Sequence, residues 1–178
     1  MGVMTKEMAS RLISWAFSSL SEDGMVSFAF QGGEPTMAGL GYFRHFIEEV
    51  KKNKKEGQRV SFSLQTNGYA ITEEWASLFK ENGFLIGISL DGNKNQHDRY
   101  RVDEKGEGTF LRIIDKLKIL EKYKVDYNAL CVVTGNTDPV KAYSSLKREG
   151  FSFLQFIPCL DPYEEERGRR EFSLTPEK

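Results

Sequence analysis

The stretch Gln31-Gly32-Gly33-Glu34-Pro35 sets two glycines and a carboxylate at the end of an apolar segment. Glycine bares the backbone, so amides and carbonyls approach a ligand closely, and Glu34 adds a full negative charge. That combination suits a positively charged amino group. Four more polar clusters close apolar segments further along the chain: Gln65-Thr66-Asn67-Gly68, Ser89-Leu90-Asp91-Gly92, Thr134-Gly135-Asn136 and Pro158-Cys159-Leu160-Asp161. Any one of them alone reads as a turn. Turn chemistry accounts for the glycines and Pro35, but gives no reason for Gln31, Glu34, Gln65 and Ser89 to recur at equivalent places.

Strands must present these clusters, and the sequence supplies them. Val26, Phe28 and Phe30 alternate with Ser27 and Ala29, and Val60, Phe62 and Leu64 alternate with Ser61, Ser63 and Gln65, the period of two that a strand requires. Residues 84–90 are apolar throughout, as expected of a strand covered on both faces in a parallel sheet. Residues 125–133 and 151–157 supply two more. Between them run helical periodicities: Tyr42, Phe43, Phe46, Ile47 and Val50; Trp75, Leu78 and Phe79; Phe110, Ile113, Ile114, Leu117 and Leu120. Thr72, Thr109 and Asp138 before Pro139 are expected N-caps, and Asn82-Gly83 and Gly150 are expected exits. Ahead of the first strand, Met8, Leu12, Trp15, Ala16 and Leu20 form the apolar stripe of an opening helix capped by Thr5.

Alternating strands and helices imply an α/β fold with a parallel sheet and right-handed crossovers. Each polar cluster then lies at the C-terminal end of its strand, the face on which such folds build ligand sites, and a common pocket is expected there. About five βα units are visible in residues 1–178, too few to close an eight-stranded barrel. The opening helix lacks the strand it should follow, and Thr175-Pro176-Glu177 signals a helix start with nothing after it, so a single truncated domain is expected. The charged run 164–171 reads as a solvated loop.

Composition narrows the partners. The 25 Lys and Arg nearly cancel the 26 Asp and Glu, leaving a formal charge of -1 and no field to draw nucleic acid or an anionic membrane. No apolar stretch approaches the roughly 20 residues that span a bilayer, and the first twenty residues lack a signal-peptide layout. A soluble cytoplasmic protein is expected. The two cysteines, Cys131 and Cys159, sit in or beside apolar runs and read as reduced thiols, with no metal site.

The series "FAFQGGEPTMAGL", "SLQTNG", "ISLDG" with "HDRYR", "NALCVVTGNT" and "FLQFIPCLDP" resembles the radical S-adenosylmethionine (SAM) enzymes, and within them the anaerobic sulfatase-maturating enzymes. The resemblance runs in order from about Gly2 to Lys178. It implies a partial (β/α)6 TIM-like barrel of parallel strands, here without its first strand. It also implies binding of S-adenosylmethionine: Gly32, Gly33 and Glu34 on the methionine amino group, Ser89 and Asp91 near the ribose or carboxylate, Arg101 on the carboxylate, and Val133 and Ile157, with Val132, against adenine. As strand residues, those last three have core packing as their ordinary role. Asn67 stands with the cofactor residues and, with Gln31, Gln65 and Cys159, points toward a substrate peptide. An inert packed thiol is the rival reading of Cys159. His97, in the loop before Arg101, is placed to contact either ligand, and His45 is expected at the surface.

The family's 4Fe-4S cluster is held by a CxxxCxxC run, and no such run occurs in this sequence. Two cysteines cannot supply the three thiolates. The expectation is therefore a core-domain fragment, inactive alone and without catalytic residues of its own. Its intact parent would use a 5'-deoxyadenosyl radical to oxidise a Cys or Ser of a sulfatase polypeptide to formylglycine. A maturase of another peptide, or a cluster-less barrel serving as a binding module, are the alternatives. With its first strand missing, residues 26–30 become an open sheet edge that invites self-association.

Overall fold

A computed structural model describes residues 2–175. The elements run α1 (Lys6–Ser18), β1 (Met25–Phe30), a 3-10 turn (Pro35–Ala38), α2 (Leu40–Asn53), β2 (Arg59–Thr66), α3 (Glu73–Glu81) and β3 (Phe84–Ser89). They continue with α4 (Lys94–Tyr100), α5 (Phe110–Lys122), β4 (Asp126–Val133), α6 (Pro139–Arg148) and β5 (Leu154–Pro158). The five strands are parallel and lie in chain order, β1-β2-β3-β4-β5, the order that successive βα units of a barrel produce. The register pairs Phe28 with Phe62 and Phe30 with Leu64 between β1 and β2, and Val132 with Ile157 between β4 and β5.

The chain divides into two compact units, one of residues 1–66, 70–86 and 119–126, the other of residues 67–69, 87–118 and 127–178. The first is built on aromatic packing. Phe28 meets Phe46 edge-on with centroids 5.0 Å apart, and Phe62 stacks on Phe84 at 4.8 Å. Phe43 and Phe79 beside them are fully buried, and each aromatic pair contributes about 0.5–1.5 kcal/mol beyond its area burial. In the second unit Ile88, Leu90, Ile113, Leu117, Ala129, Leu146 and Phe151 are buried.

The capping signals act as expected at Thr5, Thr72 and Asp138, each of which accepts a backbone N–H of its helix's first turn. Thr109 immediately precedes α5 and its carbonyl accepts the Ile113 N–H at 3.1 Å, while its hydroxyl donates to the carbonyl of Arg101. Three expectations are corrected. The buried face of α1 is Ala9, Ile13 and Phe17, while Met8 and Trp15 are 58% and 68% exposed. Two apolar series share this helix, and the one that reaches Phe28 through Phe17 is buried. β5 starts at Leu154, because Gly150 takes a left-handed φ of 89° and the Phe151 N–H closes α6 on the carbonyl of Leu146. In β3, Leu85 is exposed while its neighbours are covered.

The run 164–171 is a series of turns, in which Arg170 pairs with Glu165 and Arg99 with Glu171. Of the helix-start signature at 175–177, Pro176 and Glu177 lie outside the described residues. No helix among the described residues is long and apolar enough to cross a membrane.

Candidate functional site

In the first unit the chain leaves β1 through Gly32 and Gly33, whose φ values of 86° and 55° belong to the left-handed region. A Cβ at either position would meet nothing within 4 Å, so the loop is bare as well as bent. Glu34 then caps the 3-10 turn that Pro35 opens. Its Oε1 accepts from the Thr36 N–H at 3.1 Å, from Thr36 Oγ1 at 2.6 Å and from Thr66 Oγ1 at 2.7 Å. Thr66, the last residue of β2, is buried. The carboxylate is thus held in one orientation beside exposed backbone. Gln31 is exposed next to this loop and Gln65 is half-buried.

In the second unit Asn67 and Gly68 form a turn, with Asn67 Oδ1 accepting from the Tyr69 N–H at 2.9 Å. Ser89 is half-buried at the end of β3. Asp91, nearly buried, is the hub: Oδ2 accepts from Arg101 Nε, while Oδ1 accepts from Arg101 Nη2 at 3.3 Å and from the Val132 N–H at 2.8 Å. Asp91, Arg101 and Val132 line a cleft of about 560 Å³ together with Thr134, Cys159 and Phe172. The end of the charged run and Phe172 close part of it, since the Gly135 N–H donates to the carbonyl of Phe172 and Asn136 Nδ2 to that of Glu171, both at 2.9 Å.

Of the residues named from sequence for the cofactor or the peptide, Asp91, Arg101, Val132 and Cys159 share this cleft. Val132 and Val133 are half-buried and Ile157 is exposed, so none of the three lies in the core. Cys159 is half-buried, and its N–H donates to the carbonyl of Val133 at 2.8 Å.

His97 lies on α4 rather than in a loop, and it is fully buried. Its Nδ1 accepts from the Asp91 N–H and its Nε2 contacts Thr109 Oγ1. Burial pushes its pKa down to about 4, so it is neutral near pH 7. The capping box of Asn93 and Gln96 is the signal that announces α4. The Asp91–Arg101 pair and the Phe172 wall carry no sequence periodicity and were not foreseen. His45 is half-buried and meets Ser10 Oγ at 3.2 Å.

A parallel βα series with its polar groups at the strand ends is one that many enzymes share, and comparison with known proteins narrows it. The profile of the Radical SAM superfamily matches residues 16–143, and the chain belongs to that superfamily. It is 46% identical over 98% of its length to the cysteine-type anaerobic sulfatase-maturating enzyme of Clostridium novyi (strain NT), covering 47% of that protein. It is 36% identical over 76% of its length to the serine-type enzyme of Klebsiella aerogenes, covering 34% of it. A solved structure described as native anSMEcpe with bound AdoMet and Kp18Cys peptide superimposes with a TM-score of 0.94. Its identity is 43%, over 99% of this chain and 49% of that one. The chain spans about half the length of the curated relatives it matches.

Membership implies S-adenosylmethionine and a 4Fe-4S cluster. The residues present do not fit the cluster. The sequence has two cysteines, and burial, with Asp91 nearby, pushes the Cys131 thiol up to about 11, where it stays protonated. Among the described residues no group of three or more His, Cys, Asp or Glu is placed to hold a metal. The glycine pair beside an oriented carboxylate does have the chemistry that an ammonium group needs.

Proposed function

We propose that this chain is the S-adenosylmethionine-binding core of an anaerobic sulfatase maturase, a cytoplasmic enzyme, and that it is inactive by itself. The observation that carries the reading is the match over 99% of the chain to a structure described as holding AdoMet and a peptide. In the first unit, backbone groups of Gly32 and Gly33 and the carboxylate of Glu34 receive the amino group of the methionine moiety. In the second unit, taken by itself, Arg101 suits a carboxylate, Ser89 and Asp91 a ribose or carboxylate, and Val133 and Ile157 an adenine, with Asn67 beside the cofactor residues. Gln31, Gln65 and Cys159 face the sulfatase polypeptide.

In the whole protein, bound S-adenosylmethionine supplies the 5'-deoxyadenosyl radical chemistry that turns a Cys or Ser of the sulfatase into formylglycine. The residues of this chain bind and orient. Isothermal titration of the chain with S-adenosylmethionine tests the reading. Weak, saturable binding is expected, weaker than micromolar because the chain ligates no cluster, and Glu34→Gln reduces it about tenfold. Submicromolar affinity, or affinity indifferent to Glu34→Gln, overturns it.

A further inference from the structure

The second unit contains a closed ring of hydrogen bonds that no step above uses. The Asp91 N–H donates to His97 Nδ1 at 3.2 Å, so the imidazole proton resides on Nε2, which lies 2.9 Å from Thr109 Oγ1. Thr109 Oγ1 in turn donates to the carbonyl of Arg101 at 3.1 Å, and the Arg101 guanidinium returns to the Asp91 carboxylate. Every donor in the circuit meets an acceptor, and the polarity runs one way round. The Arg101 N–H also donates to the carbonyl of His97, at 2.9 Å. His97 is fully buried and Thr109 nearly so, which makes both links costly to leave open.

We propose that His97 and Thr109 are positioning residues. They fix the backbone of Arg101 at the end of α4, so that its guanidinium lies against Asp91 and meets an anionic ligand group already oriented. The identity of that group, the carboxylate of an amino-acid moiety, rests on the function proposed above. An arginine fixed at both backbone and carboxylate surrenders little freedom on binding, which is how a residue that touches no ligand raises affinity. The charged groups around the ring are Asp91, Arg101 and Asp98, and burial outweighs them in keeping His97 neutral.

The test uses the whole chain labelled with ¹⁵N. Long-range ¹H–¹⁵N spectra are expected to show His97 as the neutral Nε2–H tautomer from about pH 5.5 to pH 8. The Arg101 Nε–H is expected to exchange slowly in the native chain, faster by about tenfold in Thr109→Val, and slowly again in Thr109→Ser. S-adenosylmethionine affinity should fall roughly three- to tenfold in Thr109→Val, with no further loss when that change is added to Arg101→Lys. A proton found on Nδ1, or exchange at Arg101 that ignores Thr109→Val, overturns the proposal. Intact exchange results with affinity indifferent to Arg101→Lys uphold the positioning of Arg101 and refute the ligand assignment instead.

Discussion

Thr66 Oγ1 donates to Glu34 Oε1 at 2.7 Å, tying the end of β2 to the carboxylate that follows β1. The same oxygen accepts twice from Thr36, so the acid's direction is set by two hydroxyls and one amide. A carboxylate that is already aimed loses little freedom when a cation arrives. Thr66→Val keeps the side-chain shape and removes the donor. It is expected to cost about 1 kcal/mol in urea unfolding and to weaken S-adenosylmethionine binding roughly three- to tenfold, with Thr66→Ser restoring both. Unchanged affinity in Thr66→Val would separate this bond from ligand binding.

The buried imidazole of His97 makes stability depend on pH. Its folded pKa is near 4 and its unfolded value about 6.5, so below pH 6.5 the unfolded chain takes up a proton that the native chain refuses. Stability is therefore complete above pH 6.5 and declines as pH falls toward 4, by ~3 kcal/mol across the window. Carboxylates with depressed pKa values lose their contribution below about pH 4.5, leaving the upper part of the window to His97. Urea midpoints at half-unit pH steps measure the slope, and His97→Gln should flatten it between about pH 6.5 and pH 5.

The α/β order was legible because two periods compete in this sequence without overlap. Ser27, Ala29 and Ser63 mark a period of two, while Phe43, Phe46, Ile47 and Val50 mark 3.6. The face of α1 was not legible, since Met8, Leu12 and Trp15 form as good a stripe as Ala9, Ile13 and Phe17, and only tertiary packing chooses between them. The glycines and Glu34 stood out as residue types. Their wiring to Thr66, and that of Asp91 to Arg101, Val132 and His97, joins positions that no periodicity links.

Glycine positions divide by the surroundings of their absent side chain. At Gly33, with φ 55° and nothing near a Cβ, alanine meets only backbone strain, expected at about 1 kcal/mol. At Gly92, with φ 67°, a Cβ would lie 2.3 Å from Gln96 Oε1 and 3.1 Å from Ala142 Cα. Gln96 can move aside, but the α6 backbone cannot. Gly92→Ala should therefore cost ~3 kcal/mol or more, and equal midpoints for the two variants would contradict this ordering. Lys124 runs the other way, as a non-glycine residue at φ 55°, so Lys124→Gly should add about 1 kcal/mol.

β1 stands at the end of the strand order with β2 as its neighbour, and its Phe28 and Phe30 belong to the aromatic core of the first unit. A strand of six residues at a sheet edge templates pairing with another strand, and it carries no lysine or proline to discourage it. Self-association that grows with concentration is therefore expected, read by light scattering on a sizing column. Ala29, exposed on β1, offers the control: Ala29→Lys places a charge on the edge without entering the core, and should return the chain to monomer. A native chain that elutes as a monomer at high concentration would remove β1 as an association edge. An oligomer that persists in Ala29→Lys would move the contact to another surface, such as the exposed face of α1 around Trp15.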